Sequence, residues 1–341
     1  NGLVDFSDDL VDFDFDLDLL KADLNNINDE YDTSISGSAN VKLRGSRIEN
    51  LIGDLSINNL KFTNTDINTK FEKFNAQLRY NNDIRIVNLT SSDAVSGIII
   101  GEYDIFSLKN ILLNSIGSHY SNYKLNDNID FQNISFNINL KPKLAYLINN
   151  KLDLDQSTFV SGNFKSDGDY EIGIKSNHIN YDNIQTENID LKFSNNGGVF
   201  KIKKLKSSLV EGTNFYVDST FSDDTLYVNS NYKTFANNQN KLNFYHTINK
   251  KNNSVFGFVN LDLIFNKKNW SLSKNSDPKL IINNNLQSFN ANNISFINEN
   301  QEIKLDISNS ENGSNYNLIF NEVKLNSFTR KSSSIIFDGV L

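Results

Sequence analysis

The 341-residue chain predicts an all-β fold, and three observations carry that prediction. Residues 12–19 read "DFDFDLDL", an unbroken alternation of apolar and acidic residues. Successive side chains leave a strand on opposite faces, so such a segment has one apolar and one charged face. The same period recurs along most of the chain. Between the alternating runs lie clusters of Asn, Asp, Gly and Ser, such as "SDGD" (166–169), "SNNGG" (194–198) and "SDD" (222–224), which are turn signals. One strand every ten to fourteen residues or so favours antiparallel pairing, because parallel strands need long crossovers.

Taken in order, the first strand places Phe13, Phe15, Leu17 and Leu19 on one face. Val41 and Leu43 follow, then Leu55 and Ile57, after which the phase slips before Leu60 and Phe62 and predicts a bulge. Further on come Phe136, Ile138 and Leu140 in "ISFNINL", Ile172 and Ile174 in "YEIGIK", and Phe256 and Phe258 at the head of "FGFVNLDLIF". These residues are the candidate apolar site. Two stretches depart from the period. Around 104–120, Ile105, Leu108, Ile111, Leu112 and Ile116 fall at helical spacing, with Asp104 or Ser107 able to cap the start. Around 142–149, Pro142 suits a first helical turn, and Leu144, Leu147 and Ile148 share a side. No linker-like tract interrupts the chain, so residues 1–341 read as one continuous segment of a longer protein.

Composition narrows the function. The 25 Phe argue against a disordered chain. The 59 Asn, alongside abundant Lys and Ile, are explained by an AT-rich genome. A net charge of −8 and a pI near 5.0 exclude the basic stripe that a nucleic-acid partner needs. Without cysteine there are no disulfides and no thiolate metal sites. No apolar run is long enough to span a bilayer.

Catalytic chemistry finds no footing, and the chain is expected to be no enzyme and to need no cofactor or metal. His119, His178 and His246 stand apart in sequence, without an announced partner. Same-face aspartates in 12–18 lie about 6.5–7 Å apart, too far for one calcium ion to collect. Neither Gly-rich phosphate-binding pattern occurs. What remains is the apolar face itself. One that runs on over so many strands is either the lumen of a curled sheet or a binding surface.

"SGSANVKLRGSRIENLIGDLSINNLKF" (36–62), "IRIVNLTSSDAVSGIIIGEYDIFSLKNILLNSIGSHYSNY" (84–123) and "SFNINLKPKLAYLINNKLDLDQSTFVSGNFKSDGDYEIGIKS" (135–176) resemble the central region of the TamB family, in the AsmA-like superfamily. The version they resemble is that of Bacteroidota-type bacteria. Ser92-Asp93, Gly97, Gly101 and Tyr103 fit its middle segment, and Ser161-Gly162 its hairpin. Residues 270–308 are similar to its recurring hairpins after a Trp-containing start.

The resemblance implies an elongated, curled antiparallel sheet, a taco-shaped groove with an apolar interior. It implies a periplasmic location and attachment to the inner membrane through an N-terminal anchor. A C-terminal part would meet an outer-membrane assembly-barrel protein, and phospholipid acyl chains would be the cargo, in support of outer-membrane biogenesis. Phe13, Phe15, Leu17 and Leu19 would then face the groove and the four Asp would face water. The alternative is a secreted or surface β-repeat protein, an adhesin or fibre segment whose apolar faces close on each other.

Overall fold

The computed structural model describes residues 2–6, 10–23, 33–46, 50–64, 68–81, 84–104, 107–124, 132–165, 168–207, 211–265, 268–274, 277–283, 288–310 and 313–323. Strand accounts for 73% of it and helix for 6%, so the chain is all-β. The ladders described below are antiparallel. The fold divides into two compact units. The first comprises Asn1–Ser115, Asn126–Ser194 and Lys206–Ser208, the second Ile116–Leu125, Asn195–Leu205 and Leu209–Leu341.

The first unit holds β1 (Gly2–Asp5), β2 (Val11–Asp23), β3 (Ser34–Gly45), β4 (Ile52–Thr63), β5 (Asn68–Asn81), β6 (Ile84–Ser91) and β7 (Val95–Glu102). After helix α1 (Leu108–Gly117) come β8 (Asn133–Leu140), helix α2 (Pro142–Ile148), β9 (Leu152–Leu154), β10 (Thr158–Phe164), β11 (Tyr170–Ser176), β12 (Ile179–Tyr181) and β13 (Gln185–Ser194). Strands β1 to β8 pair in chain order, and β10, β11 and β13 extend the ladder. Strands β9 and β12 form a separate two-stranded patch.

The second unit holds β14 (Gly197–Lys206), β15 (Glu211–Ser222), β16 (Thr225–Lys233), β17 (Gln239–Ile248), β18 (Ser254–Phe265), β19 (Lys268–Leu272), β20 (Lys279–Ile282), β21 (Phe289–Asn298), β22 (Gln301–Ser310) and β23 (Gly313–Asn321). Strands β15 to β18 pair in sequence. The short β19 and β20 then pair with opposite ends of β18 and both meet β21, so together they fill one place in the ladder. Strands β22 and β23 follow.

The predicted bulge in β4 is present. Asn59 adopts a left-handed φ of 51°, and the β3–β4 register shifts by one residue there. Slips also occur in β2 and β5. The β2–β3 register shifts between Leu19 and Ala22, where Lys21 has φ 52°. On β5, Thr69 and Phe71 are buried, then Glu72 and Lys73 are both exposed, then Ala76 is buried. The Glu72 amide donates to the Asp93 carboxylate at 3.1 Å instead of to a strand. A bulge leaves a residue without its ladder partner, and Asp93 supplies the acceptor.

Both helices are shorter than the spacing predicts. In α1, the Ser107 carbonyl accepts from the Ile111 amide at 3.0 Å, and the Ser107 hydroxyl donates to Asp104 at 2.6 Å. Ile111 is buried; Ile105 lies outside the described residues, as do the side chains of Leu108 and Leu112. Pro142 does open α2. Ile148 corrects the expected stripe, being exposed, while Ala145 is the buried residue of that helix. Lys143 ties α2 down, donating to Asp93 at 2.7 Å and to the Lys70 carbonyl at 3.0 Å.

Candidate functional site

Residues directly opposite in an antiparallel ladder share a face. The register of the first unit therefore assembles two cross-strand rows. One runs Phe15, Val41, Leu55, Ala76, Leu89, Gly97, Ile138, Val160, Ile174, Leu191. The other runs Phe13, Leu43, Gly53, Leu78, Val87, Ile99, Phe136, Gly162, Ile172, Phe193. Each crosses ten strands, and every member is apolar or glycine. Leu17 and Ile57 meet through Ala39 in a third row, Leu19 lies opposite Gly37, and Leu140 lies between Val95 and Thr158. Thus Phe13, Phe15, Leu17, Leu19, Val41, Leu43, Leu55, Ile57, Phe136, Ile138, Leu140, Ile172 and Ile174 come together on one face. Phe256 and Phe258 belong to the second unit.

The opposite face differs in kind. Its row between those two reads Asp14, Lys42, Asp54, Gln77, Asn88, Ile98, Asn137, Ser161, Gly173, Lys192. The aspartates of β2 do reach solvent, but not as an unrelieved acidic strip. Asp12 pairs with Arg44 at 3.5 Å, and Asp16 accepts from Asn40 at 2.7 Å. Arg79 donates twice to Asp54, at 3.0 and 3.2 Å. Exposed pairs of this kind contribute about 0–1 kcal/mol each and chiefly keep this face wet.

Burial grades along the apolar face. Val41 and Ala76 are buried, and at the β8–β13 end Phe164 is wholly so. There Phe136, Phe164 and Tyr170 stack with ring centres 6.3 and 6.0 Å apart. Burial pushes the Tyr170 phenol up to about 12. At the β2 end, Phe13, Phe15 and Leu19 are half-buried, and Leu17 is 43% exposed. A hollow of about 340 Å³ opens there, lined by Val11, Phe13, Phe15, Val41, Leu43 and Leu51 among others.

One residue of this face escaped the sequence reading. Arg85 lies in register with Tyr80 and Gly101, on the side of Val87 and Leu89, yet is almost fully buried. Its guanidinium sits 5.3 Å from the centre of the Tyr103 ring. Burial raises the Tyr103 phenol, and the Arg85 charge opposes that rise. The signal in sequence was a lone Arg at an inward position of "IRIVNL".

In the second unit a comparable row runs Phe221, Leu226, His246, Phe256, Leu280, Ala291, Ile307, Tyr316. Ala291, Ile294 and Ile307 form a buried cluster against which Phe258, Leu280, Phe296 and Leu305 pack. A bulge opposite Asn243 and Phe244 lets Phe258 and Leu261 share a face despite their odd spacing, and Val259 is left 64% exposed. Here the face is partly covered by the chain itself: Tyr120, just beyond α1, bonds to His246 at 2.7 Å.

The third histidine, His178, lies on the β9–β12 patch, 3.4 Å from Asp153 and 3.8 Å from Asp155. Among the described residues no group of three or more His, Cys, Asp or Glu is placed to hold a metal ion. No described helix is long and apolar enough to cross a membrane. Comparison with protein-family models, curated proteins and solved structures gives no match to the chain.

Proposed function

We propose that the apolar face of the first unit binds phospholipid acyl chains, as part of a bridge-like protein that conducts lipid across the periplasm between inner and outer membranes. The observation that carries the reading is the pair of ten-strand rows in which every residue is apolar or glycine, beside which Leu17, on the same face, stays open to solvent. Each CH₂ moved from water onto an apolar wall gains about 0.8 kcal/mol, so one lipid tail gains on the order of 10 kcal/mol along such a face. Headgroups need no pocket in this scheme, because they remain in water while the tails lie on the sheet. The mechanism is partition along a continuous wall, without a covalent step.

Photo-crosslinking side chains test it. Placed at Leu17 and Ile138, they are expected to capture phospholipid; placed at Asp16 and Asn137, on the opposite face, they are not. Equal capture from both faces, or none from either, would overturn the reading and favour a β-repeat fibre whose apolar faces close on each other.

A further inference from the structure

In the second unit, residues 118–123, "SHYSNY", lie across one end of the apolar face. Tyr120 is buried, its ring edge-on to Phe221 at 5.7 Å and to His246 at 5.1 Å. His119 stacks on Phe221 with ring centres 4.2 Å apart. Polar contacts pin the segment at its rim. The Ser121 amide donates to the Asp224 carboxylate at 3.0 Å, and the Asn122 side chain donates to the Ile248 carbonyl at 2.9 Å. The segment therefore occupies the place where Phe221, Leu226, His246 and Phe256 would otherwise present a continuous apolar row. Only His246 in that row can change its charge near neutral pH.

We propose that residues 118–123 are a releasable plug on the apolar face of the second unit, latched by the bond between the Tyr120 hydroxyl and neutral His246. The proposal is independent of what the face of the first unit binds. The Tyr120 hydroxyl lies 2.7 Å from His246 Nδ1, and the tautomer of the neutral ring decides which of the two donates; protonation leaves only donation from Nδ1 and adds a charge to the buried ring. An imidazolium here would sit against the rings of Phe256 and Tyr120, with centres 4.7 and 5.1 Å away, which cannot replace its hydration. The groups around it do not supply a counter-charge within the row. The plug brings His119 and Tyr120, β16 brings Leu226 and β18 brings Phe256. Asp223 and Asp224 lie in the β15–β16 turn and Lys250 and Lys251 in the β17–β18 turn, and the Asp224 carboxylate is engaged by Ser121.

Burial lowers the pKa of both His246 and His119 below the ordinary 6.5. A histidine with a depressed value in the docked state favours docking above about pH 6.5. That advantage is lost as the pH falls from there toward the docked value, by up to tenfold in the docking constant per pH unit.

Hydrogen exchange of the amides of Tyr120, Ser121 and Tyr123, corrected for intrinsic rates, reads the docking directly. Between about pH 7.5 and about pH 5, a window above the ordinary carboxylate range, their protection should fall, by up to about tenfold per pH unit below about 6.5. The emission of Trp270, buried elsewhere in the same unit, should stay constant. His246→Phe, which keeps an aromatic ring but cannot titrate, should shrink that fall to the part His119 contributes. Tyr120→Phe should lower protection at every pH while leaving the pH dependence in place. Level protection in the wild type, the same loss in His246→Phe, or a parallel shift in Trp270 emission would each overturn the plug.

Discussion

In the first unit both apolar rows consist of aliphatic, aromatic and glycine residues only; they end at β2 with Phe13 and Phe15 half-buried, and Leu17 beside them is exposed. In the second unit the equivalent row carries a histidine, is capped at one end by Tyr120, and packs around Ala291, Ile294 and Ile307. The same alternation thus produces two kinds of surface. Where the rows carry only apolar residues and glycine, their β2 end is left partly open. Where a polar group enters the row, the chain brings a partner to satisfy it, because a buried imidazole nitrogen without a partner costs free energy. The difference separates a surface proposed to bind lipid from one that forms the core of its own unit.

The comparison can be broken most forcibly at a glycine of the first unit. Gly97 has φ +144°, and a Cβ there would lie 2.2 Å from the Asn137 carbonyl oxygen of the neighbouring strand. Backbone cannot move aside without opening the β7–β8 ladder. Gly97→Val should cost about 3–5 kcal/mol in urea unfolding. Gly257→Val in the second unit meets the Tyr245 ring, a side chain able to swing away, and should cost clearly less. Equal losses would mean that the rows of the first unit do not depend on close strand approach.

A smaller effect separates core from open surface. Ile307→Ala removes a buried side chain and should cost about 2–4 kcal/mol. Leu17→Ala, at a 43% exposed site, should cost under about 1 kcal/mol. A large loss at Leu17 in the isolated protein would show that its face is covered, against the distinction drawn here.

A smaller effect than the loss of a core side chain sharpens the account of the bulge. Burial raises the Asp93 carboxyl, but bonds from Lys143, the Glu72 amide and Ser91 outweigh it and leave it below the ordinary 3.8. A depressed carboxyl stabilises the fold above its unfolded value, and that contribution disappears as the pH falls through the folded value. Asp93→Asn should cost about 1–2 kcal/mol near neutral pH. Its gap from the wild type should close in acid, measured by urea unfolding at a series of pH values. A gap independent of pH would remove the carboxylate from its role at the bulge.

Much of this was legible from residues alone. Strict alternation decides strand and face together, since a one-residue shift would carry every apolar side chain into water. That is why Phe13, Val41, Ile138 and Ile172 could be assigned to a common face, and why the slip before Leu60 announced a bulge. Other features depend on residues far apart in sequence. The slip in β5 is completed by Asp93 and Lys143, and the apolar row of the second unit by Tyr120, which lies 126 positions from His246. Register decides which apolar residues become neighbours, and packing decides how exposed each one stays. Leu17 and Val41 look alike in the pattern, yet one is open and the other buried. The period of a strand is a local property of its backbone; the partner across the ladder, the cover above it and the bond that replaces a missing ladder contact arise only when distant segments meet.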